Sequence, residues 1–411
     1  MPTVFVKPND KKRQYSRVQH LSAIEMPAWL SFMAKAQGDS LIVDMEAEDL
    51  DEMGLILRLK DFAVDEVVLL ATGSHPSAHI QQSEAADRLK KGVEAIFAVP
   101  VRVENRLYFD PTLMGVIPYD KLPVKLYRAH NWHSWGRPDR SYGVTFSSIS
   151  CPFKCDFCCV KDFYHSDYRQ RDPRLVVEDV KALVAKGVTN IKMMDELFAI
   201  DNKGTRAVCE LLKAEGLGEL INIWAYARID TVSASLLKSL RGAGVRWLAY
   251  GIESGNEAIR AGTMKGKFTN AHVQSVIQMT KDHDISIVGN YMFGFWEDGI
   301  ASMRETLDLA KALNCEYSNF YCMSVYPGSR LYDEMKSRGV ALPLTSEEFA
   351  QMSPNFKPVP TKTLDGRFVM AFRDAAFNEY FRDPGYLAMM GARFGAKAVE
   401  EIKAMTSIEI R

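Results

Sequence analysis

Four of the chain's seven cysteines fall within nine residues, in the segment CPFKCDFCCV over residues 151–160. Three of them, Cys151, Cys155 and Cys158, follow the spacing C-x3-C-x2-C. Thiolates at this spacing can surround one iron–sulfur cube and give a ligand to three of its irons. The fourth iron would have no protein ligand close by in sequence, and an open coordination position is typical of catalytic metal sites. The spacing therefore predicts a [4Fe-4S] cluster with one open iron.

A structural zinc site is the alternative interpretation of the same cysteines, with His165 as the fourth ligand of a Cys3His set. An odd number of clustered cysteines does not indicate a disulfide framework, and in a reducing compartment it favours metal binding. Cys159 could replace Cys158 as a ligand, but we interpret it as a buried bystander thiol. The other three cysteines are expected to pack in the core: Cys209, Cys315 and Cys322.

The composition limits the class of protein. The chain has 411 residues, 47% apolar and 25% charged, which predicts a folded protein with two domains or a barrel plus an added domain. The net charge of −1 predicts no nucleic-acid partner. No apolar run approaches the roughly 20 residues that cross a bilayer, and the first residues have no signal-peptide pattern. We therefore expect no membrane partner and a cytoplasmic location.

The elements that must position the cysteines are alternating strands and helices from Tyr142 onward. The first predicted strand, YGVTFSS, ends just before Cys151. The later predicted strands are NIKMMDE, INIWAYARI, RWLAYGIESG, ISIVGNYMFGF and SNFYCMSVYPG. Helical patterns such as VVEDVKALVAKG and SASLLKSLRGAG alternate with these strands. The alternation predicts an α/β fold with a partial (β/α)6 TIM-type barrel, whose active site lies at the carboxyl ends of the strands.

The front of the chain predicts a smaller parallel sheet. The apolar strands TVFVKP, SLIVDME and EVVLLATG alternate with helices, one of which runs between Pro27 and Gly38, and EAIFAVPVRV is a possible fourth strand. This pattern indicates a small Rossmann-like, flavodoxin-like domain. Ligands of such sheets bind at the carboxyl ends of the strands. Ser74, His75 and Ser77 follow the third strand and are candidate binding residues.

Four regions follow from these patterns: a front domain at 1–110, a connector at 111–140, the barrel at 141–335 and a helical region at 336–411. The connector contains RAHNWHSWGRPDR, which is too aromatic for a free linker, so we expect it to lie against the barrel. His130 and His133 within it are a metal-site candidate, and aromatic packing is the preferred interpretation.

The motif C-x3-C-x2-C after the first strand of a βα barrel resembles the radical S-adenosylmethionine (SAM) superfamily, over roughly residues 141–335. The resemblance implies that SAM chelates the open iron through its amino and carboxylate groups. It implies that one electron from the cluster cleaves SAM and gives a 5′-deoxyadenosyl radical, which abstracts hydrogen from an unactivated carbon. An electron donor such as flavodoxin or ferredoxin is implied as a partner, beside a small-molecule substrate.

The family pattern also implies roles for residues at the strand ends. Phe157 matches the aromatic residue near the adenine, and Arg228 could meet the SAM carboxylate or a substrate anion. Contacts to the SAM amino group are implied for the end of the second strand, at Met194, Asp195 and Glu196. There the sequence MMDE replaces the commoner glycine-glycine-glutamate, which leaves the acidic residue open. Further SAM contacts are implied for the later strands, at Gly251, Glu253, Ser254, Asn290 and Tyr326.

An internal charge network at the mouth of the barrel is the alternative role for Asp195, Arg228 and Glu253.

The front domain resembles that of the cobalamin-binding class of this superfamily, in the stretches AIEMPAW, LIVDMEAEDL and ATGSHPSAHIQQSEAADRLKK. The resemblance implies a corrin across the strand ends, with His75 and His79 as candidate contacts to its lower face. The alternative is that His75 starts a helix and His79 lies on the surface of that helix. The aspartate–histidine–glycine motif of many cobalamin proteins is absent, and the domain is shortened. The function implied is methylation of an unactivated carbon of a small metabolite. The alternatives are a cobalamin-independent radical rearrangement, cyclisation or oxidation, and a zinc-stabilised binding protein.

Overall fold

The computed structural model describes most of the chain. The described residues are 2–9, 11–71, 76–104, 110–165 and 167–409, with the backbone alone for residues 12, 13, 16 and 76–83.

The front of the chain folds into a four-stranded parallel sheet in the order β2-β1-β3-β4. Its strands are β1 (Thr3–Lys7), β2 (Ser40–Asp44), β3 (Glu66–Leu70) and β4 (Val101–Glu104). Its helices are α1 (Lys11–Gln14), α2 (Ala28–Gln37), α3 (Glu52–Lys60) and α4 (Pro76–Glu94). The flavodoxin-like order begins in the same way. The predicted Rossmann-like sheet is therefore confirmed, including its fourth strand.

Both faces of the front sheet are buried because its strands are apolar throughout. Val4 and Val6 pack in a core with Leu55 and Leu59 of α3. Phe5, on the opposite face, belongs to the larger core that continues into the barrel. Burial on both faces explains why these strands show a continuous apolar run rather than alternation.

The second half of the chain forms a six-stranded parallel sheet in the order β12-β11-β10-β9-β8-β5. The strands are β5 (Tyr142–Thr145), β6 (Ser148–Ile149), β7 (Arg169–Gln170), β8 (Asn190–Met193), β9 (Asn222–Ala227), β10 (Val245–Glu253), β11 (Ser286–Phe293) and β12 (Tyr317–Cys322), with β6 and β7 forming a separate antiparallel pair. The helices are α5 (Val160–Tyr164), α6 (Pro173–Ala185), α7 (Lys203–Ala214), α8 (Ala234–Gly242), α9 (Glu257–Gly262), α10 (Asn270–Asp282), α11 (Ile300–Leu313) and α12 (Arg330–Ser337). The six predicted strands are confirmed as a partial barrel.

Local signals explain several helix ends. Helix α8 begins after Ser233, whose hydroxyl accepts a hydrogen bond from the Leu236 amide at 3.2 Å. Helix α2 lies between Pro27 and Gly38, and Gly38 has a φ of +77° that a residue with a Cβ rarely adopts. Turn and cap residues therefore set the boundaries that the apolar periodicity leaves open.

The connector between the two sheets packs against the barrel, as predicted. Trp132 lies in a short 3₁₀ turn, and its ring centroid is 5.6 Å from Trp224 of β9, 5.1 Å from Trp247 of β10 and 5.8 Å from Tyr317 of β12. These three residues lie toward the amino ends of their strands. The connector therefore closes the end of the barrel opposite the cysteine loop.

The C-terminal region is helical, as predicted. It contains α13 (Ser346–Phe349), α14 (Gly366–Phe381), α15 (Pro384–Phe394) and α16 (Ala396–Thr406). The Tyr380 hydroxyl donates to the Cys315 carbonyl at 2.6 Å, which fixes α14 beside β12. Cys209, Cys315 and Cys322 are all buried, in agreement with their predicted place in the core. None of the helices in the described ranges is both long and apolar enough to cross a membrane.

Candidate functional site

A cavity of about 1120 Å³ lies inside the barrel and extends to the carboxyl edge of the front sheet. Most of the predicted site residues line it: Cys151, Cys155, Phe157, Cys158, Met194, Glu196, Arg228, Gly251, Glu253, Asn290 and Tyr326. Residues of the front domain, including Lys7 and Glu46, line the same cavity. The cavity therefore joins the cysteine loop to the edge of the front sheet where ligands of such folds bind.

The cysteine loop is held on two sides by backbone hydrogen bonds. The Asp156 amide donates to the Thr263 carbonyl at 3.2 Å, and the Leu331 amide donates to the Asp156 carbonyl at 2.9 Å. Burial raises the pKa of Cys151 above its usual range. A thiol in such a place ionises when a positively charged centre binds it. Three thiols on one fixed loop at the rim of a cavity fit the donor set of a cluster that keeps one iron open.

The zinc alternative requires His165 to join the cysteines. His165 is exposed, lies at the end of α5 with a φ of +46°, and does not line the cavity. Within the described ranges, no three His, Cys, Asp or Glu side chains are placed to hold a single metal ion. The Cys3His site is therefore not assembled, whereas the cysteines of an iron–sulfur cube bind different irons and need not meet at one point. Cys159 also lines the cavity, and burial raises its pKa to about 12; its role as a bystander stays a prediction.

The guanidinium group of Arg228 makes its hydrogen bonds within the protein. Its Nε and Nη2 donate to the two carboxylate oxygens of Asp230, each at 2.9 Å, and its Nη1 donates to the Cys155 sulfur at 3.3 Å. The guanidinium carbon lies 3.8 Å from the centroid of the Phe153 ring. This geometry does not match the expected contact of Arg228 with the SAM carboxylate. The guanidinium nitrogens already bond to Asp230 and Cys155, and they face the cysteine loop.

Lys265 is the cation that the sequence analysis missed. Its Nζ lies 2.8 Å from Glu253 Oε1 at the cavity wall. Burial lowers the pKa of Lys265, but Glu253 and Cys155 outweigh that effect, so the net pKa is raised and the side chain stays charged. A Cβ on Gly251 would come within 2.4 Å of Glu253 Oε1 and 2.5 Å of Lys265 Nζ. Glycine at position 251 therefore leaves room for this ion pair.

Of the two acidic residues after β8, Glu196 faces the cavity and Asp195 does not. The Asp195 carboxylate is 1% exposed and accepts hydrogen bonds from the Ser147 amide at 2.8 Å and from the hydroxyls of Ser147 and Ser148 at 2.5 and 2.6 Å. Burial raises the pKa of Glu196 to about 7, against the effect of the nearby Lys192. The side chain of Asp195 therefore has internal partners, Ser147 and Ser148, and its implied contact with SAM stays a prediction.

Ser254 is also turned away from the cavity. It is fully buried, and its hydroxyl accepts from the Asn256 amide at 3.1 Å and contacts the Thr306 hydroxyl at 3.4 Å. It holds the turn between β10 and α9, so its implied ribose contact is not supported by its position.

The remaining predicted residues of the barrel lie on the cavity wall. Phe157 contacts Phe295 with ring centroids 6.1 Å apart. Asn290 accepts a hydrogen bond from Asn319 at 2.9 Å, and Tyr326 stacks on Phe349 at 5.7 Å. Met194, which donates its amide to the Thr145 carbonyl at 2.7 Å, is anchored by its backbone. Their contacts to a cofactor stay predictions.

The front edge of the cavity is charged. Lys7 Nζ lies 2.9 Å from Glu46 Oε2 and 3.4 Å from Asp44 Oδ2, and Lys11 also pairs with Glu46. Ser74 and His75 lie outside the described residues, and the side chains of Ser77 and His79 are likewise not described. The predicted cobalamin contacts of these four residues stay predictions.

The amino-terminal end of the cavity holds a group of residues that the sequence analysis did not bring together. We call it the floor cluster, and it consists of Glu25, His130, Trp132, Lys192 and Trp224. Lys192 Nζ donates to Glu25 Oε1 at 2.8 Å and lies 5.0 Å from the centroid of the Trp224 ring. His130 stacks on Trp132 with ring centroids 5.3 Å apart.

The two connector histidines do not form a joint metal site. His133 Nε2 lies 2.9 Å from the Asn222 carbonyl, and His130 Nδ1 accepts from the Ala23 amide at 3.2 Å. Burial lowers the pKa of both histidines to about 3, so both are neutral near pH 7. Aromatic packing of the connector is the interpretation that this geometry supports.

Two solved structures share the fold of nearly the whole chain. One is the radical S-adenosylmethionine methyltransferase TsrM from Kitasatospora setae with cobalamin and a [4Fe-4S] cluster bound, with a TM-score of 0.65 and 14% identity over 94% of this chain and 90% of that one. The other is the cobalamin-dependent S-adenosylmethionine radical enzyme OxsB, with a TM-score of 0.64 and 12% identity over 98% of this chain and 72% of that one.

The sequence relatives are longer proteins, and this chain matches only part of each of them. An uncharacterized methyltransferase of Pyrococcus horikoshii is 24% identical over 67% of this chain and 60% of its own length. The anaerobic magnesium-protoporphyrin IX monomethyl ester cyclase of Cereibacter sphaeroides is 26% identical over 62% of this chain and 43% of its own length. The chain thus matches about half of the length of these relatives. Residues 147–310, within the barrel, match the model of the Radical SAM superfamily, and the chain as a whole shares the fold of the two solved structures.

Proposed function

We propose that this chain is a radical SAM enzyme, and that it methylates an unactivated carbon of a small molecule with the help of cobalamin. The observation that carries the proposal is the single cavity in which Cys151, Cys155 and Cys158 meet Glu196 and the Glu253–Lys265 pair. The cavity continues to the edge of the front sheet, where a second cofactor has room.

The three cysteines would hold a [4Fe-4S] cluster, which supplies the electron that cleaves bound SAM to a 5′-deoxyadenosyl radical. Within the cavity, Glu196 is placed to accept hydrogen bonds from the SAM ammonium, and Lys265 to pair with the SAM carboxylate. Phe157 and Phe295 offer an apolar wall beside them. These residues bind and orient SAM, and the buried walls keep water from the reacting carbon.

Cobalamin is proposed from the shape of the front domain and from its relatives. TsrM and OxsB have cobalamin bound in structures with the same overall fold. In this chain, Lys7, Lys11 and Glu46 line the front edge of the shared cavity, and they could hydrogen-bond polar groups of the corrin. The methyl donor would then lie opposite the cysteine loop, with the substrate carbon between the two.

Methyl transfer to a ring-containing substrate is supported by the name of a further relative. Besides the two relatives above, bacteriochlorophyllide d C-12(1)-methyltransferase of Chlorobaculum tepidum is 28% identical over 46% of this chain. We propose an electron donor of the flavodoxin or ferredoxin type as partner. We also propose a location in the reducing cytoplasm, where the clustered thiols of the cysteine loop would stay reduced.

The test is anaerobic purification and cluster reconstitution with and without hydroxocobalamin, followed by desalting and an ultraviolet–visible spectrum. We expect a cluster absorption together with about one retained corrin per chain, and methylated product once a substrate is supplied. A cluster spectrum without retained corrin would redirect the search to cobalamin-independent radical rearrangements or oxidations. One zinc per chain and a colourless protein would reject the radical SAM assignment.

A further inference from the structure

The inner wall of the barrel is layered from the cysteine loop down to the floor cluster. Trp224 and Tyr226 of β9, and Arg228 directly after this strand, are two residues apart from one another, and all three line the cavity. Arg228 touches Cys155 at the rim, and a rise of about 3.3 Å per residue puts Trp224 about 13 Å deeper. That depth leaves a compartment below the cysteine loop for a molecule other than SAM.

The walls of this compartment are aromatic. Trp132, Trp224, Tyr226 and Tyr321 all line the cavity. Trp132 and Trp224 meet edge to face with centroids 5.6 Å apart, and Trp224 and Tyr226 likewise at 5.1 Å. Rings fixed against one another offer flat apolar surfaces, which favour a planar ligand.

Hydrogen-bond donors remain available at the floor. Lys192 has three N–H donors, and among the described residues the acceptor bonded to it is Glu25. The Nδ1 of His130 accepts from the Ala23 amide, which leaves the proton of the neutral ring on Nε2. In the part of the chain that the structure describes, no hydrogen bond is made to that Nε2, and His130 lines the cavity.

Both signs of charge surround these donors. Glu25, Lys11, Lys192 and Arg140 act on His130. Lys11 is paired with Glu46, and Glu196 as well as Glu25 acts on Lys192. One carboxylate here would receive hydrogen bonds from Lys192 and His130. A dianion such as phosphate would bring a second negative charge beside Glu25.

We propose that the floor cluster binds the carboxylate of a planar substrate, with Lys192 as the charged anchor and His130 as a neutral donor. This inference rests on the proposed function, because it places the substrate of that reaction below the cysteine loop. The carboxylate at the floor would direct the opposite end of the ring system toward the rim, where the cysteine loop lies.

The test compares two planar probe pairs that differ only in charge: indole-3-acetate with indole-3-acetamide, and 2-naphthoate with 2-naphthamide. Binding is measured by anaerobic titration calorimetry on the reconstituted full chain. We expect each acid to bind at least about tenfold more tightly than its amide, a difference of about 1.4 kcal/mol. Lys192→Met should remove that preference and Lys192→Arg should keep it.

Matched controls separate recognition from folding. Lys181→Met is the first, since Lys181 forms an ion pair with Glu215 on the outer surface of the barrel; it should leave the preference unchanged. If Lys192→Met fails to fold because Glu25 loses its counter-charge, the double variant Lys192→Met/Glu25→Gln removes both charges and should bind acid and amide equally.

Two results would overturn the inference: equal binding of acid and amide by the native protein, or no binding of any probe. Production of 5′-deoxyadenosine by the same preparation, with dithionite as reductant, is measured in parallel. If 5′-deoxyadenosine is produced although the probes bind equally or not at all, the proposed function stands and the carboxylate site at the floor cluster is rejected. If it is absent in a fully reconstituted protein, the proposed function itself fails.

Discussion

Arg228 donates a hydrogen bond to the sulfur of Cys155 at 3.3 Å while its guanidinium lies flat on Phe153. Asp230 fixes the orientation of the fork from the opposite side. Hydrogen bonds and positive charge at the sulfur ligands of an iron–sulfur cluster favour its reduced form. The side chain is therefore a positioning residue that acts on the cluster through its ligand.

Arg228→Met should lower the midpoint potential of the reconstituted cluster, because it removes both the N–H···S bond and the charge. Arg228→Lys keeps the positive charge but cannot make the bidentate hydrogen bonds of a guanidinium group, so it should give an intermediate potential. The measurement is a redox titration monitored by electron paramagnetic resonance. Arg206→Met is the control, since Arg206 is clamped by Asp201 in the same bidentate way but outside the cavity. An unchanged potential in Arg228→Met would contradict this role.

Cys155→Ala should abolish cluster assembly and SAM cleavage while leaving the fold intact. The cysteine loop lies at the rim of the cavity, and Cys155 is half-buried there rather than part of the core. Iron and sulfide analysis after reconstitution, beside far-ultraviolet circular dichroism, checks both statements. The Cys159→Ala variant should retain the iron of the cluster, because we interpret Cys159 as a thiol that does not bind the cluster. Retained 5′-deoxyadenosine production in Cys155→Ala would refute the assignment of the ligands.

Much of the fold is predictable because local signals repeat along the chain. Apolar strands, a serine cap at Ser233 and a glycine stop at Gly38 set the elements, and the cysteines follow β5 directly. The floor cluster could not be predicted, because Glu25 and Lys192 are separated by 167 residues and meet only when the front region packs against the barrel. Periodicity places Lys192 in a strand, but it does not indicate the partner.

The same limit applies to the acidic residues and to Lys265 at the candidate site. The sequence MMDE offers two adjacent carboxylates, and neighbouring residues at the end of a strand point in opposite directions. Which of them reaches the cavity depends on Ser147 and Ser148, whose hydroxyls engage Asp195. Lys265 lies in a loop after α9, where no periodic pattern indicates its pairing with Glu253.

Gly251→Ala should weaken SAM binding by roughly tenfold, which corresponds to about 1.4 kcal/mol. The new Cβ would displace Glu253 and Lys265, the pair proposed to contact SAM. Anaerobic equilibrium dialysis of labelled SAM against reconstituted protein measures the change. Gly262→Ala is the control, because a Cβ there would meet no atom within 4 Å. Equal SAM affinity in the two variants would argue against a role for the Glu253–Lys265 pair.

Glu196→Gln should change how stability depends on pH. Burial raises the pKa of Glu196 to about 7 in the folded protein, from 4.5 as its ordinary value. Between these values the folded state binds the proton and the unfolded state does not, so wild-type stability falls as pH rises from about 4.5 to 7. Glutamine has no proton to lose and should abolish this contribution, which is about 3 kcal/mol in magnitude.

Urea unfolding of the protein without added SAM, at pH 5 and pH 7.5, measures this effect. The free energy of unfolding of Glu196→Gln minus that of wild type should be larger at pH 7.5 than at pH 5. Glu178→Gln, at an exposed site on α6, should show no such difference. If the difference in unfolding free energy between wild type and Glu196→Gln is the same at both pH values, the Glu196 carboxylate is ionised at little cost. Its environment would then already favour the charged form before the SAM ammonium arrives.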